Sequence, residues 1–350
     1  MMRAIVQERY GAPDVLELRD VDRPVIRDDE MLVRVRAASV HADVWHVMRG
    51  VPYILRIMGA GLRAPKDRVP GTDLAGVVES VGRGVTRFQP GDEVFGHSLV
   101  ANLWRNGGAF AEYAAVSEAR FERKPAGLTF EQAAAVPTSG SLGVQAVRDE
   151  GHVQPGQKVL INGAGGAVGT FAVQLAKAYG ANVTGVDASG KLDTIRSIGA
   201  DRMVDYAQED FTRSGKRYDV ILDIVGNHPW RDLRRALTPR GTYVLIGHDL
   251  YGAAGHRWFG SLGHFAKLMV VAPFVNQIHP FRAVKDPGDR LVVLKDLIET
   301  GKVAPVIDKV FPLSEVPEAI GYLESGQARG KLVVSMADTS TQTVTDPPNP

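Results

Sequence analysis

Apolar and polar positions alternate with a period of two through much of the first 125 residues. Residues 3–7, 32–38, 76–81, 93–95 and 111–116 form short alternating or β-branched runs, separated by turn clusters such as Gln89-Pro90-Gly91-Asp92. That spacing predicts a β-rich unit with few long helices. From Thr129 the period changes. Residues 130–136 and 143–150 have helical spacing, and apolar runs then alternate strictly with helical ones: strand 158–162, helix 168–179, strand 182–186, helix 191–198, strand 203–205, strand 220–224, helix 230–237 and strand 242–246. Such alternation with short connections predicts an α/β fold with a parallel sheet covered on both faces. Beyond Gly247 the pattern loosens. Residues 249–267 are rich in Gly, His and aromatics, 268–274 read as one more strand, 291–300 and 315–325 as helices, and 331–336 as a last strand. Residues 337–350 carry too little apolar content to fold alone, so a disordered tail is expected.

Composition narrows the chemistry. A chain of 350 residues, 44% apolar and 23% charged, fits a globular protein of two domains. Lys+Arg 41 against Asp+Glu 40 leaves a net charge of +1, with no global field to recruit nucleic acid or an anionic membrane. The absence of cysteine excludes disulfides, thiolate metal sites and cysteine nucleophiles. Neither a signal-type segment at the N-terminus nor an apolar run of about 20 residues is present, so a cytoplasmic location is expected.

The strongest local signal follows the run Lys158-Val159-Leu160-Ile161-Asn162. It passes into Gly163-Ala164-Gly165-Gly166-Ala167-Val168-Gly169 and then an Ala/Val/Leu-rich helix. Dinucleotide binding needs a tight turn, a residue without Cβ where the pyrophosphate approaches, and close packing of helix on strand. Ala164, Gly166 and Gly169 stand at those positions, and the helix start offers N–H groups to the anion. Asp187 ends the next strand 21 residues after Gly166 (187 − 166 = 21), where a ribose-binding acid belongs. An acid there favours NAD. Ser189 and Lys191 in the same loop would instead hold a 2′-phosphate, and Tyr206 falls near the adenine end. The residues alone leave the two cofactors near parity.

The segments GTDLAGVVESVG (71–82), PGDEVFG (90–96), GGAFAEYAAV (107–116), VLINGAGGAVGTFAVQLAKAYGA (159–181) and FPLSEVPEAIGYLESGQARGKLVV (311–334) follow one another in order. Together they resemble the medium-chain dehydrogenase/reductase superfamily. Within it they are most similar to the zinc-independent quinone oxidoreductase branch, whose members are often labelled NAD(P)-dependent alcohol dehydrogenases. The resemblance implies a GroES-like catalytic domain from residues 1–126, a Rossmann domain over 127–282, and a return to the catalytic domain over 283–336. It also implies NADP as cofactor, with NAD as the alternative, and a homodimer in which 268–274 is a candidate interface strand.

No zinc is expected. Where the zinc branch carries Gly-His-Glu, this chain has Gly71-Thr72-Asp73. His41 and His46 are five residues apart and do not stack on one helix face, and His248, His256 and His264 recur on a Gly-rich stretch rather than in a ligand motif. Hydride chemistry without a Lewis acid favours acceptors that are already electrophilic: hydrophobic quinones, enones and activated carbonyls. A zinc-free carbonyl or alcohol dehydrogenase and a catalytically silent dinucleotide sensor are the rivals. The resemblance places the stretch around Ser39-Val40-His41-Ala42-Asp43 beside the nicotinamide. Tyr53, His46 and Asp43 are the catalytic candidates, and His41 and Trp45 the pocket candidates. A buried Tyr and Trp lining a core would give the same pattern. Thr138, Val225, Gly226, Asn227, Gly247 and His248 follow or end elements of the cofactor half and join its candidate contacts. Lys331 joins them too, with a strand-edge lysine as its ordinary alternative. Residues 53–69 read as either a lid or a surface amphipathic segment.

Overall fold

The computed structural model describes residues 1–98, 105–247, 257–259, 262–279 and 288–336. The chain opens with the antiparallel pair β1 (Met2–Gln7) and β2 (Leu16–Val21), followed by β3 (Glu30–Val40), helix α1 (Ala42–Arg49), β4 (Asp73–Val81), β5 (Glu93–His97), β6 (Tyr113–Ser117) and β7 (Phe121–Arg123). Alternation puts Met31, Val33 and Val35 of β3 into a core with Leu74, Val94 and Phe121. Helices α2 (Phe130–Ala134) and α3 (Pro137–Val144) lead into the second half. The first is held by a capping box between Thr129 and Gln132.

The second half then runs β8 (Lys158–Asn162), α4 (Ala167–Ala178), β9 (Asn182–Asp187), α5 (Leu192–Ser197), β10 (Arg202–Asp205), β11 (Tyr218–Asp223), α6 (Trp230–Ala236), β12 (Leu237–Leu245), α7 (Leu262–Val271), β13 (Ile278–His279) and α8 (Gly288–Glu299). Its six strands are all parallel, in the order β10-β9-β8-β11-β12-β13. Numbered within this sheet, that is 3-2-1-4-5-6, the doubly wound order of dinucleotide-binding folds. The order reverses between β8 and β11, and doubly wound sheets place their ligand crevice at the carboxyl ends of the strands at such a point. The last elements, β14 (Ile307–Pro312), α9 (Val316–Glu324) and β15 (Lys331–Ser335), return to the first sheet, completing the order β14-β15-β3-β4-β5-β7 with β6 beside β3.

One expectation changes. Residues 268–274 are not a strand: they continue α7 and a 3₁₀ turn over Ala272–Phe274. A short apolar run does not distinguish strand from helix by period. Here Leu268 is buried while Met269 and Val270 are exposed, and Pro273 lacks the N–H that a ladder needs. The candidate interface strand is lost with it, and β13 is the edge of the sheet. Residue 283, where the return is expected, lies outside the described residues. Leu291, Leu294 and Ile298 of α8 pack with Phe171 and Leu175 of α4, and Arg290 reaches Asp149 and Gln145. The chain rejoins the first sheet only at β14. His248, His256 and residues 337–350 lie outside the described residues. Among the described residues no helix is long and apolar enough to cross a membrane.

Candidate active site

The turn after β8 is fastened to β9. Gly163, at φ +87°, reverses the chain, and the N–H groups of Gly163 and Ala164 both donate to the Val186 carbonyl, at 2.9 and 3.1 Å. Gly165 N–H donates to Asp187 Oδ2 at 2.8 Å, Ala188 N–H donates to Oδ1 at 2.8 Å, and Lys191 Nζ lies 3.8 Å from Oδ1. The acid picked out for ribose therefore also holds the glycine loop. Ser189 is exposed at the start of a 3₁₀ turn two residues after Asp187, and the Tyr206 N–H donates to the Asp187 main-chain carbonyl at 3.3 Å. Ala167, Val168 and Gly169 form the first turn of α4, whose leading N–H groups have no acceptor within the helix.

On the neighbouring strand, Asp223 closes β11 and is fully buried. Its Oδ1 accepts from Asn162 Nδ2 at 2.9 Å, from Gly226 N–H at 2.8 Å and from Val225 N–H at 3.2 Å; its Oδ2 accepts from the Tyr243 hydroxyl at 3.0 Å. Burial and this carboxylate push the Tyr243 phenol far above its ordinary value, so it stays a donor. Asn162 Nδ2 also reaches Asn227 Oδ1 at 3.1 Å. A Cβ on Gly247 would strike the Ile224 carbonyl at 2.1 Å, so this position requires glycine. Asp223 and Asn162 are organising residues that the sequence reading passed over. Their signal was present, as polar residues ending two apolar strands.

The two sheets meet at Asp73, the first residue of β4 and fully buried. Its carboxylate accepts from Thr138 Oγ1 at 2.5 Å, from Thr138 N–H at 3.2 Å and from Ser39 Oγ at 3.4 Å. Lys331 Nζ lies 3.6 Å from the same carboxylate and donates to the Val40 carbonyl at 3.2 Å. Lys331 is not a strand-edge lysine: β15 is flanked by β14 and β3, and the residue is 1% exposed. Burial pulls its ammonium below the ordinary lysine value, while Asp73 and Asp43 oppose that pull. One residue earlier, Gly330 at φ +87° donates its N–H to the Gly165 carbonyl at 2.9 Å. The lysine strand thus begins on the glycine turn after β8.

The candidates on α1 separate. His41 is the N-cap residue, and its Nδ1 lies 3.1 Å from Asp43 Oδ1, which also accepts the Val44 N–H at 2.8 Å. Burial alone would raise the Asp43 carboxyl, but His41, this N–H and Lys331 bring it below the ordinary value. Trp45 turns away, its Nε1 donating to Glu324 of α9 and its ring lying edge-on to His46. His46 Nδ1 bonds the Val51 carbonyl at 2.9 Å. Tyr53 packs edge-on against Trp258 at 5.4 Å under the Arg56 guanidinium, and its N–H donates to the Arg257 carbonyl. Of the five, only His41 and Asp43 join the Asp73–Lys331 cluster.

His97, which the sequence reading did not single out, belongs to that cluster. It is the cross-strand partner of Asp73, 8% exposed, and burial pushes its imidazole down to about 4 against the pull of Asp73 and Asp43. An unfolded chain takes up this proton near pH 6.5 and the folded chain only near 4. The stability that His97 contributes is therefore complete above 6.5 and is lost as pH falls toward 4. The loss at pH 4.5 is about 2–3 kcal/mol. Urea unfolding at pH 7 and 4.5 checks this: His97→Gln should lose less stability on acidification than the wild type.

Residues 27–126 match the family described as alcohol dehydrogenase GroES-like domain, and residues 198–334 match that described as zinc-binding dehydrogenase. A 2-methylene-furan-3-one reductase of Solanum lycopersicum is 32% identical over 95% of this chain and 79% of its own. The chain belongs to the medium-chain dehydrogenase/reductase superfamily. An NADPH-dependent alkenal/one oxidoreductase of Arabidopsis thaliana is 34% identical, again over 95% of this chain and 79% of its own. The solved quinone oxidoreductase from Coxiella burnetii superposes with a TM-score of 0.80 at 28% identity, covering 96% and 99% of the two chains. The protein is thus a superfamily oxidoreductase that uses a nicotinamide cofactor, with a GroES-like sheet and a Rossmann-like parallel sheet. One family description names zinc, and the donors here do not fit it. The chain has no cysteine and carries Thr72 before Asp73. Among the described residues no three His, Asp or Glu side chains converge to hold an ion.

Proposed function

We propose that the protein reduces a small hydrophobic enone, quinone or activated carbonyl with NADPH and without zinc. The observation that carries this reading is the contact of Gly330 with Gly165. It brings the phosphate loop against the strand whose next residue, Lys331, enters the Asp73–Thr138 cluster. The bound cofactor supplies the hydride. The glycine loop and the first turn of α4 hold its pyrophosphate, the Asp223-organised turn lines the opposite side of the crevice, and the polar cluster faces the acceptor. The acceptor gains one hydride and one proton.

NADPH is favoured over NADH because the Asp187 carboxylate is occupied by two backbone N–H groups and neighboured by Lys191. Its charge is offset, and Ser189 and Lys191 remain for a 2′-phosphate. The name of the Arabidopsis relative supports the same choice. Cofactor titration by fluorescence should give NADPH an affinity about tenfold above that of NADH, with Lys191→Ala erasing the difference. Oxidation followed at 340 nm over a panel of enones, quinones and aldehydes tests the reaction. Tight cofactor binding without turnover of any acceptor would replace this reading with a dinucleotide sensor, and turnover of alcohols alone with a dehydrogenase.

A further inference from the structure

The junction cluster is not fully paired. His97 Nδ1, Asp43 Oδ2 and Ser139 Oγ are buried polar atoms with no hydrogen-bond partner among the described residues. They belong to one neighbourhood. His97 faces Asp73 across the ladder and is coupled electrostatically to Asp43, and Ser139 follows Thr138, whose hydroxyl binds Asp73. Each buried polar atom left unpaired costs about 1–3 kcal/mol, so these atoms are open to a water or a ligand group that enters the junction.

The charged members of the cluster already have partners. Asp73 is held by Thr138 and Lys331, Asp43 Oδ1 by His41 and the Val44 N–H, and Lys331 by Asp73 and Val40. His97 is the one ring donor there whose nitrogens make no hydrogen bond to the described residues. We infer that His97 donates an N–H hydrogen bond to the carbonyl or quinone oxygen of the acceptor, stabilising the negative charge that develops there as hydride is added to carbon. The inference rests on the reductase reading above. The imidazole keeps its proton throughout. The hydride's electron pair forms the new C–H bond, the displaced π pair settles on the oxygen facing His97, and water supplies the proton that completes the reduction. A neutral ring suits this role, since it donates without itself titrating at physiological pH. The charged and titratable groups around it are Asp73 on β4, Asp43 and His41 at the start of α1, Lys331 on β15, and Arg120 before β7.

The test uses the full chain and its His97→Leu and His97→Gln variants, with NADPH affinity by fluorescence and kcat and KM for an enone at several pH values. NADPH affinity should stay within twofold, while kcat falls about 100-fold in His97→Leu and about tenfold in His97→Gln, whose amide retains a donor. Wild-type kcat should show no ionisation near 6.5. A kcat within threefold of wild type in His97→Leu would overturn the inference, as would a wild-type kcat that rises with protonation near 6.5, the behaviour of an imidazolium acid. If His97→Leu does not fold, His97→Gln decides alone: a kcat unchanged within threefold overturns the inference, and a loss of kcat at constant NADPH affinity supports it. A wild type that binds NADPH but turns over no acceptor overturns the reductase reading, and this inference with it.

Discussion

Lys331→Met is expected to destabilise the folded protein by about 3–5 kcal/mol, the range for breaking a buried ion pair on one side. The ammonium sits 3.6 Å from an Asp73 carboxylate that has no exposed surface, so its loss leaves a negative charge that water does not reach. Thr138 and Ser39 still donate to Asp73 and limit the damage, but neither carries charge. The Val40 carbonyl also loses its side-chain donor. The second substitution separates charge from packing. Asp73→Asn on the Lys331→Met background removes the stranded charge and should recover part of the loss, about 1–2 kcal/mol. Equilibrium urea unfolding of the wild type, the single variants and the double variant checks this. A double variant no better than Lys331→Met would mean that the methylene stem, not the charge, dominates.

This pair also shows where reading from sequence stopped. The strand β8, its glycine turn and α4 were legible because the signal is local: an apolar run, a Gly cluster and a helical period within some 20 residues of chain. The site at the junction is not local. Lys331 donates to Val40, 291 positions away in sequence, and Asp73 binds Thr138, 65 positions away. Whether Lys331 lies at an edge or inside depends on β14 and β3 enclosing β15, which no window around it encodes. His97 was hidden for the same reason, since it follows a turn motif and gains meaning only from Asp73 across the ladder. The stretch from His41 to Tyr53 shows the opposite case. Its residues are close in sequence and were grouped, yet α1 sends Trp45 to α9 and His46 to Val51, and Tyr53, beyond the helix, packs against Trp258. Helical neighbours diverge by about 100° per residue, so adjacency on α1 scatters side chains instead of gathering them.

Two alanine substitutions in the glycine turn should give opposite results for the apo fold and the same result for the cofactor. A Cβ at position 169 would lie 2.1 Å from the Gly163 carbonyl oxygen and 2.7 Å from backbone carbons of Ala164. Those are backbone atoms, fixed by the hydrogen bonds of Gly163 and Ala164 to Val186, so the helix must move off the strand. Gly169→Ala should therefore cost about 1–3 kcal/mol of stability and weaken NADPH binding about 100-fold or more. Position 166 differs. Its backbone is extended, at φ −85° and ψ 179°, which any residue adopts, and its Cβ would come no closer than 3.5 Å to the Gly163 oxygen. Gly166→Ala should leave unfolding unchanged within about 0.5 kcal/mol. The methyl would still occupy the space in front of the α4 N-terminus where a pyrophosphate approaches, so NADPH affinity should fall about tenfold or more. Thermal or urea unfolding paired with NADPH fluorescence titration checks both variants. If Gly166→Ala binds NADPH as the wild type does, the pyrophosphate does not approach this turn, and the assignment of the phosphate site fails even though the fold stands.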